Sequence, residues 1–215
     1  MINKFRLQRW LNRISIPNLM TYVVGCMGVA FVLQMAGVNV YGLLSLTRSG
    51  VLRGELWRLV TFAVLPPSSS LMWILFSLYF YWMIGSALEN QWGSSRFTLF
   101  YLTGAVGSII AGLIGGRADN TYLNLSLFLA YAAMNPNRQL MMFFFIPVKV
   151  KYLALIDLAL YLYMFIMGGW SVRLMILVAL GNVILFLGGD LLNAIRQEAR
   201  YFKTRQNFRR AMRGR

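Results

Sequence analysis

The stretch WRLVTFAVLPPSSSLMWILFSLYFYWMIGSALENQWGSSRFTLFYLTGAVGSIIAGLIGG, Trp57 to Gly116, decides how the rest of this chain is read. It holds two apolar runs, each close to the roughly 20 residues that a helix needs to cross a hydrocarbon core. Between them lies the polar turn Glu89-Asn90-Gln91-Trp92-Gly93-Ser94-Ser95-Arg96. The second run is punctuated by Gly104, Gly107, Gly112 and Gly116. Lipid offers no hydrophobic drive for helices to associate, so small residues at such spacing mark where a neighbouring helix can come close.

Composition extends this reading to the whole chain. Of its 215 residues 59% are hydrophobic and only 13% charged, about half the charged fraction of an ordinary soluble domain, and mean hydropathy is +0.61. Apolar spans are predicted near residues 19–36, 71–88, 97–116, 121–134, 152–168 and 171–190. The fold class expected is therefore an all-α membrane protein with six transmembrane helices. The fourth span is short, and needs help from neighbours or a locally thinned bilayer. No hydrophilic domain interrupts the spans, so residues 19–190 are expected to form one transmembrane domain, preceded by a segment at 1–18 and followed by a basic tail at 191–215.

Lys and Arg divide unequally between the two ends of these spans. Lys4, Arg6, Arg9, Arg13, Arg96, Arg138, Lys149, Lys151 and the eight basic residues from Arg196 to Arg215 fall on one side. Arg48, Arg53, Arg58, Arg117 and Arg173 fall on the other. The positive-inside rule then places both termini in the cytoplasm. The net charge of +15 raises the question of nucleic acid. Most of it borders spans or lies in the tail, where it suits anionic lipid headgroups at about 1 kcal/mol per residue, so membrane lipids are the expected partner and contact of the tail with RNA is the alternative. Residues 1–16 pattern as an amphipathic surface helix ending at Pro17. No cleavage site of the secretory kind follows, and the lack of acidic residues before Glu55 leaves a mitochondrial presequence as the alternative. The lone Cys26 excludes an intrachain disulfide, and no metal cluster or cofactor is expected.

Between the first two spans, residues 40–65 are too apolar for an ordinary exterior loop, and partial insertion into the outer leaflet is expected. Arg58 is suited to hold this loop by hydrogen-bonding its carbonyls. After Pro66-Pro67, one of Ser68, Ser69 and Ser70 is expected to cap the second span. Glu89 is expected to pair with Arg96 or with backbone N–H groups of the turn that follows it. Asp157 is the only carboxylate well inside a predicted span. Such residues are expensive and often functional; the alternative is a pairing with Lys151 or a tyrosine.

Together Trp57-Arg58, Gly85-Ser86-Ala87-Leu88-Glu89, Trp92-Gly93, Arg96 and Gly104-x-x-Gly107-x-x-x-x-Gly112 resemble the rhomboid family. The resemblance covers roughly residues 19–190 and implies a six-helix rhomboid-like bundle with a half-inserted first loop. Active rhomboids are intramembrane serine proteases with a Ser/His dyad, and this chain contains no histidine. The family's nucleophile stands in Gly-x-Ser-Gly at the start of the fourth span, matched here by Asn124-Leu125-Ser126-Leu127. The base is a histidine on the sixth span, matched by Asn182 after Gly181. The oxyanion donors, a histidine and an asparagine four apart on the second span, fall on Trp73 and Ser77. Leu185 stands where the family often has a glycine for close packing of the fourth and sixth spans.

An asparagine takes up no proton at physiological pH, so by this resemblance Ser126 lacks a general base. Asn135-Pro136, and an apolar loop at 141–147 expected to dip into the cytoplasmic interface, also resemble a subset of prokaryotic rhomboid-like proteins and, more loosely, Derlins. Non-catalytic relatives such as Derlins and iRhoms bind transmembrane clients or thin the bilayer. What the resemblance implies here is a pseudoprotease of a prokaryotic plasma membrane that binds transmembrane protein clients between its second and fifth spans. Two alternatives stay open: a rhomboid-type protease using Ser126, and a structural subunit of a membrane complex.

Overall fold

The computed structural model describes residues 15–68, 70–142 and 146–189. The expected amphipathic segment before Ser15 and the basic tail after Gly189 lie outside the described residues. Six apolar helices dominate: α1 (Leu19–Met35), α5 (Leu71–Trp92), α6 (Ser94–Gly115), α7 (Thr121–Met134), α8 (Val150–Met167) and α9 (Trp170–Gly189). Their bounds lie within about four residues of the predicted spans. By length and composition α5, α6, α8 and α9 can each cross a membrane, whereas α1 and α7 are shorter.

The 14-residue α7 rises only about 21 Å. Its shortness is accounted for by where it sits. Eight of its residues are buried, among them Leu123, Leu127, Ala130 and Tyr131, which pack in the main core with Met20 and Met27 of α1, Leu88 of α5, Phe100 of α6 and Val183 of α9. A helix walled in by protein has little surface to match to lipid. Helix α8 is the opposite case: of its residues only Val150 is buried.

The first loop is built rather than loose. It contains α2 (Val40–Leu44), α3 (Arg48–Leu52), α4 (Arg58–Thr61) and a 3₁₀ turn at Phe62–Val64. The Asn39 side chain accepts from the Gly42 N–H at 3.0 Å and so caps α2. Strand β1 (Leu46–Thr47) pairs antiparallel with β2 (Arg117–Ala118), tying the loop to the end of α6. Leu46, Phe62, Ala111, Ala118 and Met175 close a second core beneath it.

Three expectations are refined or corrected. The fold is mostly helical, with two short antiparallel ladders. Residues 141, 142, 146 and 147 of the expected apolar loop at 141–147 instead pair in a hairpin of β3 (Gln139–Met142) and β4 (Ile146–Lys149). Asn135 and Pro136 end α7, and the following apolar and β-branched residues satisfy their backbone by pairing across the strands, with Pro147 opposite Met141. Finally, Ser70 precedes α5 without a side-chain cap; the Ser68 hydroxyl instead accepts from the Ser70 N–H at 3.1 Å, closing a turn after Pro66-Pro67.

Candidate functional site

A cleft of about 630 Å³ opens between α5 and α8, with α7 as its floor and β3 at one end. Phe80 of α5 packs against Phe128 of α7 at 5.8 Å between ring centroids, and Tyr161 of α8 meets Tyr122 of α7 edge-on at 5.9 Å. These contacts hold both walls to the floor. The lining is largely aromatic and aliphatic, with Ser77, Thr121, Asn124, Gln139 and Asp157 as polar exceptions.

Two of those exceptions lack partners. Asn124 is only 5% exposed, and neither its amide oxygen nor its amide nitrogen has a hydrogen bond. The Tyr81 phenol lies beside it as its nearest hydrogen-bonding neighbour, but the two groups do not meet in the geometry of a formed hydrogen bond. Asp157 is partly buried and forms neither an ion pair nor a hydrogen bond among the described residues. Lys151, one of the partners offered by the sequence, lies instead over the Tyr152 ring, 5.2 Å from its centroid; the other, a tyrosine, is represented by Tyr81 and Tyr161, whose phenols lie close enough to feel the carboxylate electrostatically without bonding to it.

The positions matched to the family's catalytic residues each make contacts of their own. Ser126 is fully buried and lies a turn and a half inside α7 rather than at its start. Its hydroxyl donates to the Leu123 carbonyl at 2.7 Å, and Leu127 beside it is buried in the core. Asn182 faces α6: its amide donates to the Phe100 carbonyl at 3.1 Å and accepts from the Thr103 hydroxyl at 2.8 Å. Trp73 is 44% exposed and meets Phe76 edge-on, whereas Ser77 lines the cleft. Leu185, read from the sequence as an obstacle between the fourth and sixth spans, is 80% exposed and obstructs nothing.

The motif residues act as fasteners. The Arg58 guanidinium donates from Nη1 to the Ser45 carbonyl at 2.8 Å and from Nε to the Glu55 carboxylate. The expected bond to a loop carbonyl is present, but the carboxylate was not legible beforehand. Gly50 lies against this pair so closely that a Cβ there would fall 2.6 Å from Arg58 Nε. Trp57 is exposed, and its carbonyl accepts from Val60 and Thr61 as α4 begins. Asn120 adds a fastener that the sequence concealed, donating to the Leu65 carbonyl at 2.8 Å. The Tyr41 hydroxyl donates to the Pro66 carbonyl; partial burial, and then the Asp119 carboxylate, raise this phenol's pKa, which keeps it a donor.

At the opposite end Glu89, almost fully buried, accepts from the Asn18 N–H at 2.8 Å and from the Ser94 hydroxyl at 2.6 Å. This ties the end of α5 both to the entry of α1, 71 positions away, and, through Ser94, to the turn that follows. Arg96 donates from Nη2 to the Phe186 carbonyl at 2.9 Å and lies over the Trp92 ring at 5.3 Å. Trp92 in turn packs on Phe100 and Phe186. Gly93 joins α5 to α6 with φ 82°, a left-handed value that favours glycine. Gly85 lies against Met20, Gly104 against Asn182 and Leu123, and Gly107 against Val178. Gly112, expected to admit a helix, instead admits Leu46 and Ala118 of the two short strands.

Helices of this length and apolarity, packed through glycines and tied by buried polar fasteners, define a polytopic integral membrane protein. The chain matches the rhomboid domain over residues 53–192, well over half of its 215 residues. It belongs to the rhomboid family. Comparison with curated proteins gave no match.

Proposed function

We propose that this rhomboid-family protein is not a protease, and that it binds transmembrane segments of other proteins in the cleft between α5 and α8. The observation that carries the proposal is how the hydroxyl and amide at the former catalytic positions are engaged. Ser126 is committed to the Leu123 carbonyl and Asn182 to Thr103 and Phe100, in a chain without histidine. Nucleophilic attack needs a base within hydrogen-bond reach and donors aimed at the developing oxyanion. The cleft, by contrast, remains lined and open beside the peripheral α8. In this reading all six apolar helices span the bilayer, and α2 to α4 sit half-inserted in the outer leaflet. Both termini are cytoplasmic in a prokaryotic plasma membrane, with the basic tail on anionic headgroups, an arrangement closer to Derlins than to active rhomboids.

The test is reconstitution with a single-span peptide. A photo-crosslinker at Phe76, on the cleft wall, is expected to capture the peptide, while one at Leu185, on the outer face, captures little. The peptide is expected to stay intact. Equal capture at both positions removes the cleft from the reading, and cleavage that Ser126→Ala abolishes restores the protease.

A further inference from the structure

The cleft is lined by two polar side chains that form no hydrogen bond or ion pair among the described residues, one nine-tenths buried amide on α7 and one carboxylate on α8. Helices inside a membrane do not keep such groups idle without cost: ionisable residues there pair with one another or mark a ligand's path, and a buried amide without partners forfeits its full solvation. Asn124 can both donate and accept, whereas an ionised Asp157 only accepts. The complement of this pair is a cation that carries several N–H donors.

Depth decides what can bring that cation. Asp157 is the eighth residue of α8, about 10 Å along the helix from its start and about 15 Å from its end, hence near the middle of a core roughly 30 Å thick. Lipid headgroups stay at the interface. A lysine or arginine borne by another transmembrane helix reaches this depth, and its alkyl stem suits walls of Phe76, Phe80 and Ile156. A space of 630 Å³ takes up a few side chains of a passing helix rather than the helix itself.

We infer that the cleft selects transmembrane segments carrying a lysine or arginine near mid-membrane, with Asp157 as the counter-charge and Asn124 as a second hydrogen-bonding group. The inference rests on the reading of the cleft as a site for transmembrane segments.

The test uses the full-length protein in phosphatidylcholine nanodiscs and labelled 22-residue Leu/Ala peptides whose central residue is Lys, Leu or Glu. Binding read by energy transfer is expected to favour the Lys peptide over the Leu peptide at least tenfold. Asp157→Asn, nearly isosteric, is expected to bring the Lys peptide down to the Leu peptide's affinity while leaving the latter within twofold. Asn124→Leu, which removes an unpartnered amide and is expected to fold at least as well, should also reduce the preference. Moving the lysine to three residues from the peptide's end should cancel it.

Equal binding of the Lys and Leu peptides overturns the inference and leaves the cleft as a site without charge selection. A Glu peptide that binds as tightly as the Lys peptide, or a preference that survives Asp157→Asn, overturns it as well. Loss of the preference when phosphatidylethanolamine is added assigns the site to a lipid amine and also overturns it. Failure of every peptide to bind removes the cleft reading and this inference together.

Discussion

At Asn182 the side chain donates to the Phe100 carbonyl and accepts from the Thr103 hydroxyl, so both ends of the amide serve the packing of α9 on α6. Replacing it by histidine keeps one bond at most and presses a larger ring toward Gly104, which already lies against this amide. Asn182→His is therefore expected to lower stability by about 1–3 kcal/mol and to confer no cleavage of a single-span substrate. Ser126→Ala removes only a hydroxyl bonded within its own helix, so its cost is expected at or below about 1 kcal/mol, read as a small shift in thermal unfolding in detergent. Arg58→Ala is more costly, because it strands the Ser45 carbonyl and the Glu55 carboxylate beneath the first loop. Glu55 retains some solvent access, which limits the penalty to about 2–3 kcal/mol. A fall in apparent Tm no greater than that of Ser126→Ala would show that the guanidinium is not what holds the loop.

Between elements, the decisive contacts are glycine faces. Gly104 is where α6 admits both α7 and α9: a Cβ built there lies 2.8 Å from Leu123 Cδ1 and 2.8 Å from Asn182 Nδ2. Gly104→Leu forces three helices apart, and a large loss of folded yield is expected in size-exclusion chromatography. Gly85 offers a more analytical test, since an added side chain meets essentially one neighbour, with Met20 Cβ 2.8 Å away and Cγ closer. Gly85→Val is expected to destabilise the α1–α5 contact, and Met20→Ala to recover part of the loss. A coupling energy on the order of 1 kcal/mol or more is expected from the double-mutant cycle. Strict additivity of the two substitutions would place the α1–α5 contact elsewhere.

For the molecule as a whole, the described basic residues split between its ends. Arg48, Arg53, Arg58, Arg117 and Arg173 lie with the first loop, the α6–α7 turn and the α8–α9 turn; Arg96, Arg138, Lys149 and Lys151 lie with the hairpin and the α5–α6 turn. The excess on which the proposed orientation rests is carried by the segments before residue 15 and after residue 189. With Cys26 replaced, single cysteines at the amino terminus, at Asn137 and in the tail are expected to resist an impermeant thiol reagent in intact cells, and one at Arg53 to react. Labelling of either terminus from outside reverses the proposed orientation.

The number, order and approximate bounds of the apolar helices were legible in the sequence, because hydropathy and length are local quantities that sum along the chain. So were the role of Arg58 in the first loop and the close approaches at Gly104 and Gly107, where type and spacing suffice. The sequence alone could not say which way each helix turns its faces. Lipid and protein core are both apolar, so a spanning helix lacks the polar stripe that reveals orientation in water. Only the tertiary structure turns Ser126 inward and Leu185 outward, pairs Glu89 with Asn18 and Arg58 with Glu55, and pairs residues 139–142 with 146–149 across a hairpin. Only it sets Asn124 and Asp157 on one cleft, because that meeting depends on the rotation of two helices about their axes and not on any interval along the chain.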